Sequence, residues 1–160
     1  GIVLVNLLAA CASEKPKEVA SAPPPKAEAP KVAPAAPAKA AVDPLDDPAS
    51  ILAKRSVYYP FDVAAVQDAD KPVVQAHARY LSEHGNRKVR LEGNCDERGS
   101  NEYNLGLGQR RADGVKKMLQ VGGAKDSQLE TVSYGEEKPR QACHEEKCWK
   151  ENRRTDLNYR

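Results

Sequence analysis

Asp96, Glu97 and Arg98 follow one another directly after Cys95, and the pair Arg110-Arg111 lies in the segment that comes next. Two carboxylates could serve hydrolysis, but Asp96 and Glu97 are loop neighbours and need not converge on one bond. An acid and an arginine left partly open would instead meet a ligand carrying both charges, such as an amino acid's amine and carboxylate. Arginine suits that role through its planar fork of donors. Elsewhere, Cys143, His144 and Cys148 sit close together in a polar stretch. They invite a small-loop disulfide in an oxidising compartment. Zinc is the rival, and adjacent Cys and His with no fourth ligand nearby fit tetrahedral zinc poorly. His77 and His84 read as surface or packing residues. No metal-ligand pair at helical spacing and no nucleophile elbow occurs, so a catalytic site and a resident cofactor are not expected.

The acid and the arginine need a strand, a loop and a helix to hold them. Residues 88–92 alternate apolar and polar with Val89 and Leu91 on one side, which predicts a half-buried strand ending at Gly93. After Gly99, Ser100 or Asn101 can cap a helix running over 101–121, stopped by Gly122-Gly123. On a wheel of about 100° per residue, Leu105, Leu107, Ala112, Val115, Met118 and Leu119 share one arc. Arg111 lies inside that arc and Arg110 outside it. A buried arginine needs partners, and Asp96 is the expected one, as a closed internal ion pair or as half of an open site. Gly108, on the same arc, would let another element approach closely.

The remaining signals complete an order. Residues 56–62 read as a strand whose Pro60 confines it to an edge or an end. Phe61 reads as core and Asp62 as a cap. Asp70 and Pro72 open a helix that ends before Gly85. A third strand over 129–134, a turn at 135–139, a short helix within 144–154 with Trp149 inward, and a last strand over 155–159 follow. Strands separated by helices predict an α/β fold with a mixed, partly parallel sheet and helices packed on it.

Gly93-Asn94-Cys95-Asp96-Glu97-Arg98-Gly99, Glu102-Tyr103-Asn104-Leu105, Leu107-Gly108-Gln109-Arg110-Arg111-Ala112, Val132-Ser133-Tyr134-Gly135-Glu136-Glu137-Lys138-Pro139 and Asn152-Arg153-Arg154 closely resemble the peptidoglycan-associated lipoproteins of the OmpA-like domain family. The resemblance covers about residues 51–160. It implies an OmpA-like fold and a site for the diaminopimelate of the peptidoglycan stem peptide. Asp96 and Arg111 match the family's binding pair, and Phe61 and Asp62 its pocket lining, with Asn94, Arg98 and Leu107 around them. Arg153 and Arg154 would lie near the groove, where either could help hold a carboxylate. The family's usual Thr is Cys95 here, which exchanges a good hydroxyl donor for a weak one. As a further partner the resemblance implies TolB and the other Tol proteins, with a role in envelope integrity and division.

Composition sets the rest. The 160 residues carry a net charge of +2, too balanced to argue for nucleic acid from charge. All aromatic residues lie at or after Tyr58, while residues 12–50 hold nine of the twelve prolines. That stretch is expected to be a disordered Ala/Pro-rich linker, reaching about 120 Å if fully extended. Residues 1–10 are apolar and too short to span a bilayer; with no Met or basic leader, they read as the end of a truncated secretory signal. Leu8-Ala9-Ala10-Cys11 resembles a bacterial lipobox, which implies lipid on Cys11, and Ala12 resembles the lipoproteins sent to the outer membrane. The expected division is thus a signal remnant over 1–10, a lipidated linker over 11–50 and a binding domain over 51–160. A lipid-anchored outer-membrane protein gripping peptidoglycan from the periplasmic face is the leading function. An interaction lipoprotein without wall binding is the alternative, and a wall hydrolase the least favoured.

Overall fold

The computed structural model describes residues 43–160. The expected signal remnant, the lipid attachment at Cys11 and most of the linker lie outside the described residues. Four strands and three helices alternate along the chain: β1 (Ser56–Tyr58), α1 (Lys71–Glu83), β2 (Val89–Asn94), α2 (Asn101–Val121), β3 (Leu129–Gly135), α3 (Glu146–Asn152) and β4 (Arg154–Tyr159). They form one mixed sheet in the order β1-β4-β2-β3. β2 and β3 pair in parallel, whereas β4 runs antiparallel to both β1 and β2. The α/β architecture with a mixed, partly parallel sheet expected from the sequence is the one observed.

Local chemistry explains the main elements. Val89 and Leu91 of β2 are buried and Arg90 and Glu92, which alternate with them, are half-buried, as a pleated strand with one face on a core requires. Leu91 pairs with Thr131 on one side and Leu157 on the other, which puts β2 at the centre. Ser100 caps α2, its Oγ accepting from the Tyr103 N–H at 3.2 Å. Val74, Ala78 and Leu81 of α1 and Ala112, Val115 and Leu119 of α2 close the core over Val57, Val89, Leu91 and Leu157.

The helix α2 lies unusually near the sheet, and two glycines permit it. A Cβ at Gly93 would fall 1.9 Å from the Gly108 carbonyl oxygen, and one at Gly108 would fall 2.3 Å from Ser133 Oγ. Neither place has room for a methyl group. This contact docks the middle of α2 on the end of β2, so Asn94, Cys95 and Arg111 are held as one unit.

Several expectations are corrected. The packed structure begins at least by Asp43 and not at residue 51. Leu45 is buried with Leu52 and Tyr80, and the Asp43 carboxylate accepts from the Leu45 N–H and the Tyr80 hydroxyl, each at 3.0 Å, while pairing with Arg87. Proline-rich composition averaged over forty residues hid one leucine with a partnered aspartate. The first strand stops at Tyr58, and Phe61 is 56% exposed, not core, because the chain turns at Pro60 and Asp62 takes a positive φ of 58°. Asp70 does not cap α1 with its side chain; its Oδ2 accepts from the Tyr58 N–H at 2.9 Å and ties the helix start to β1. His77 is a buried packing residue between the Tyr159 hydroxyl and the Lys54 carbonyl, and burial lowers its pKa.

Candidate functional site

Where α2 crosses the loop that leaves β2, a cavity of about 150 Å³ opens between that loop, α2, the turn at Phe61-Asp62 and Arg153, which follows α3. Arg111 forms its floor. The side chain is fully buried and its guanidinium is held by main chain: Nε donates to Val63 O at 2.9 Å, Nη1 to Asn94 O at 2.9 Å and Nη2 to Pro60 O at 3.2 Å. Nη1 also donates to Cys95 Sγ at 3.4 Å, and the Tyr59 ring lies 4.8 Å away. These bonds use four of the five N–H groups of the fork. Burial lowers the pKa of Arg111, although an arginine stays charged at any physiological pH.

The expected Asp96–Arg111 ion pair does not form. Asp96 is 3% exposed, and its partners are Arg98 and Arg153. The loop bends back on itself, so that Oδ1 accepts the Arg98 N–H at 3.2 Å and Oδ2 the Arg98 Nε–H at 3.2 Å. Arg153, reaching in from the end of α3, donates Nη1–H to the same Oδ2 at 3.0 Å and Nε–H to Tyr59 O at 2.9 Å. Burial opposes ionisation of Asp96, but the bonds from Arg98 and Arg153 outweigh it and hold the carboxyl below its ordinary pKa. Arg111 consequently has no carboxylate partner among the described residues. The two charges share one cavity without neutralising each other directly.

The other predicted residues separate clearly. Phe61, Asp62, Arg98 and Leu107 line the cavity with Asp96 and Arg111. Asn94 does not: its side chain is buried, Nδ2 donating to Glu92 O at 2.9 Å, and it serves the site through its carbonyl on Arg111. Arg153 lines the cavity, whereas Arg154 pairs with Asp156 at 2.8 Å and stands apart. Cys95 is a buried free thiol that donates to Asn104 O at 3.3 Å, and burial raises its pKa, so it stays protonated. Cys143 and Cys148 are disulfide-bonded, which disposes of the zinc alternative for these two sulfurs. Among the described residues no cluster of His, Cys, Asp and Glu could hold a metal ion.

Four contributors were missed by sequence reasoning. Asn104 Nδ2 donates to Asp96 O and Arg98 O, both at 3.2 Å, and to Glu136 Oε2 at 2.6 Å, fastening the loop to α2. Its signal was available, since 104, 108, 111 and 115 share one helical face. Tyr103 donates its hydroxyl to Asp62 at the cavity wall. Glu146 pairs with Arg153, and Trp149 stacks on Arg98. Trp149, expected inward, lies outside the core and is half-buried over the site. The Arg98 guanidinium is sandwiched, with the Phe61 and Trp149 rings each 4.1 Å from it. Asp96 and Glu97 diverge, the latter turning outward to His144 Nδ1 at 2.7 Å and Trp149 Nε1 at 2.8 Å. The two carboxylates are thus engaged by different partners and in different directions.

Comparison with known proteins accords with this geometry. The sequence profile of the OmpA family matches residues 58–153. A peptidoglycan-associated lipoprotein of Pasteurella multocida is 46% identical over 104 residues, covering 65% of this chain and 69% of that one. One of Haemophilus influenzae is 47% identical over 104 residues, covering 65% and 68%. Among solved structures, the peptidoglycan-associated lipoprotein of Burkholderia pseudomallei superposes with a TM-score of 0.73 at 52% identity, over 74% of this chain and all of that one. The C-terminal domain of Helicobacter pylori MotB shares the fold, with a TM-score of 0.57 at 19% identity over 64% and 83%.

Proposed function

The chain belongs to the OmpA family, its relatives there being the peptidoglycan-associated lipoproteins, and from that membership we propose that it binds peptidoglycan non-covalently and tethers the outer membrane to the cell wall. The relatives are named as peptidoglycan-associated lipoproteins and not as enzymes.

One observation carries the molecular reading: Arg111 is buried at the cavity floor with its charge met only by carbonyls and a sulfur, beside an ionised Asp96. The fifth guanidinium N–H can take a carboxylate oxygen, and Asp96 Oδ1, which among the described residues accepts only the Arg98 N–H, has capacity left to accept from an ammonium group. A stem-peptide residue that carries both at its far end, as diaminopimelate does, satisfies both. Phe61, Asp62, Arg98 and Leu107 shape the wall around it. At the other end of the chain, lipid on Cys11 holds the protein to the periplasmic face of the outer membrane. Residues between Cys11 and the domain bridge the gap to the wall, and TolB with the other Tol proteins are its partners in envelope integrity and division.

Co-sedimentation with purified sacculi tests the reading. The parent chain pellets with the sacculi, and an Asp96→Asn variant that keeps its circular dichroism spectrum stays largely in solution. A parent that remains in solution would refute wall binding.

A further inference from the structure

The mouth of the cavity is held by residues from one short stretch, 143–149. Glu146 pairs with Arg153 and lies 3.7 Å from Arg98. Trp149 stacks on Arg98 and donates to Glu97. His144 contacts the same Glu97 carboxylate. The two arginines that hold Asp96 are therefore themselves held from this stretch, and the Cys143–Cys148 bridge closes it, with a Cα–Cα distance of 5.7 Å.

The stretch has little secondary structure of its own to hold its shape. The helix α3 has seven residues, too few to be stable on its own, and its N-cap Glu145 makes no side-chain capping bond. Upstream, residues 136–142 are largely exposed and contain no strand or helix. They are fastened through Asn152, whose Oδ1 accepts from the Arg140 and Gln141 N–H groups at 2.8 and 2.9 Å, and through the Arg140 guanidinium, which donates to the Tyr58 hydroxyl at 2.7 Å and to Asp156 Oδ1 at 2.8 Å. The Asn152 anchor lies at the C-terminal end of α3, and the bridge, through Cys148, ties its N-terminal half to Cys143.

We propose that the Cys143–Cys148 disulfide is a positioning element for the binding site, holding Glu146 and Trp149 against Arg153 and Arg98 so that the Asp96 carboxylate keeps its orientation. The inference rests on the reading that this cavity takes the stem peptide. A disulfide stabilises least, by restricting the unfolded chain, when its loop is short. With only five residues of separation, this bridge acts on the site more than on global stability. Opening it with a dithiol such as dithiothreitol breaks one S–S bond. The bridge takes two electrons and two protons to become two thiols, and the reductant becomes a cyclic disulfide.

The test uses the full chain in three forms: oxidised parent, parent in dithiothreitol, and the Cys143→Ser/Cys148→Ser double variant. Trp149 is the only tryptophan, so its emission maximum and acrylamide quenching report on the rim directly. Opening the bridge red-shifts the emission and exposes the ring without ligand. Affinity for a soluble muropeptide, a disaccharide carrying a diaminopimelate stem, falls about tenfold. The melting temperature moves far less than a tenfold affinity loss would suggest. Unchanged Trp149 emission and quenching in both opened forms overturns the proposal whether or not muropeptide binds. Equal muropeptide affinity in all three forms overturns it as well. A parent that binds no muropeptide at all refutes the wall-binding reading instead, and the ligand-free tryptophan signal still judges the bridge.

Discussion

Arg111 and Arg153 are both buried, both line the same cavity and both donate to main-chain carbonyls, yet their charges meet different fates. Arg153 is matched by Asp96 and Glu146. Arg111 is matched by no carboxylate among the described residues and is held by three carbonyls and a thiol. Neutral acceptors satisfy the geometry of a guanidinium without cancelling its charge. One arginine is therefore structural glue between α3 and the loop, and the other is a standing positive charge at the cavity floor. A binding site for an anion needs the second kind, because a fully paired arginine has nothing left to offer a ligand.

Removing each arginine in turn exposes the contrast most strongly. Arg111→Met takes the guanidinium donors from the carbonyls of Val63, Asn94 and Pro60, and is expected to cost about 3 kcal/mol or more in urea unfolding and to abolish sedimentation with sacculi. Arg153→Met releases Asp96 to Arg98 alone and leaves Tyr59 O unpaired. It should cost about 2 kcal/mol and weaken sedimentation without abolishing it. Equal losses of sedimentation in the two variants, once corrected for the unfolded fraction, would dissolve the distinction.

Acid titration separates the two by their partners. Asp96 and Glu146 both have folded pKa values below their ordinary ones: burial opposes this at Asp96 but the bonds from Arg98 and Arg153 prevail, and the bond from Arg153 leads at Glu146. The folded state thus binds fewer protons than the unfolded chain over the carboxylate range. Their stabilisation is complete above the unfolded values and is lost as pH falls through the lowered ones. Urea stability should therefore drop more steeply on acidification in the parent than in Asp96→Asn, and parallel curves would contradict the pairing. The smallest effect belongs to Cys95→Thr. A hydroxyl can replace the thiol as acceptor from Arg111 and donor to Asn104 O. Stability should shift by no more than about 1 kcal/mol, and muropeptide affinity should rise slightly if it changes at all.

The contrast also marks what could be read from the sequence. The long helix was legible from Asn101 to Val121, because caps and a 3.6-residue period are local properties. The same wheel isolated Arg111 on the buried face, and the succession of strands and helices along the chain followed from alternation and glycine stops. Partner choice was another matter. Asp96 could be seen to need a cation, but whether Arg98, Arg111 or Arg153 supplied it depended on how the loop bends and where α3 ends, which no spacing encodes. Phe61 and Trp149 misled for a related reason. Aromatic rings read as core by hydrophobicity, while here they stack on Arg98 at the cavity mouth. Leu45 escaped notice because one apolar residue in a proline-rich segment leaves no period behind.

The measurement that reaches the central claim most directly is titration calorimetry with two muropeptides that differ at one stem residue, diaminopimelate against lysine. Lysine keeps the amine and lacks the distal carboxylate. If the Arg111 charge is what the site offers, the parent binds the diaminopimelate form at least about tenfold more tightly, the worth of one charge-assisted hydrogen bond, and a folded Arg111→Lys variant loses most of that preference. Equal affinity of the parent for both muropeptides would contradict the account.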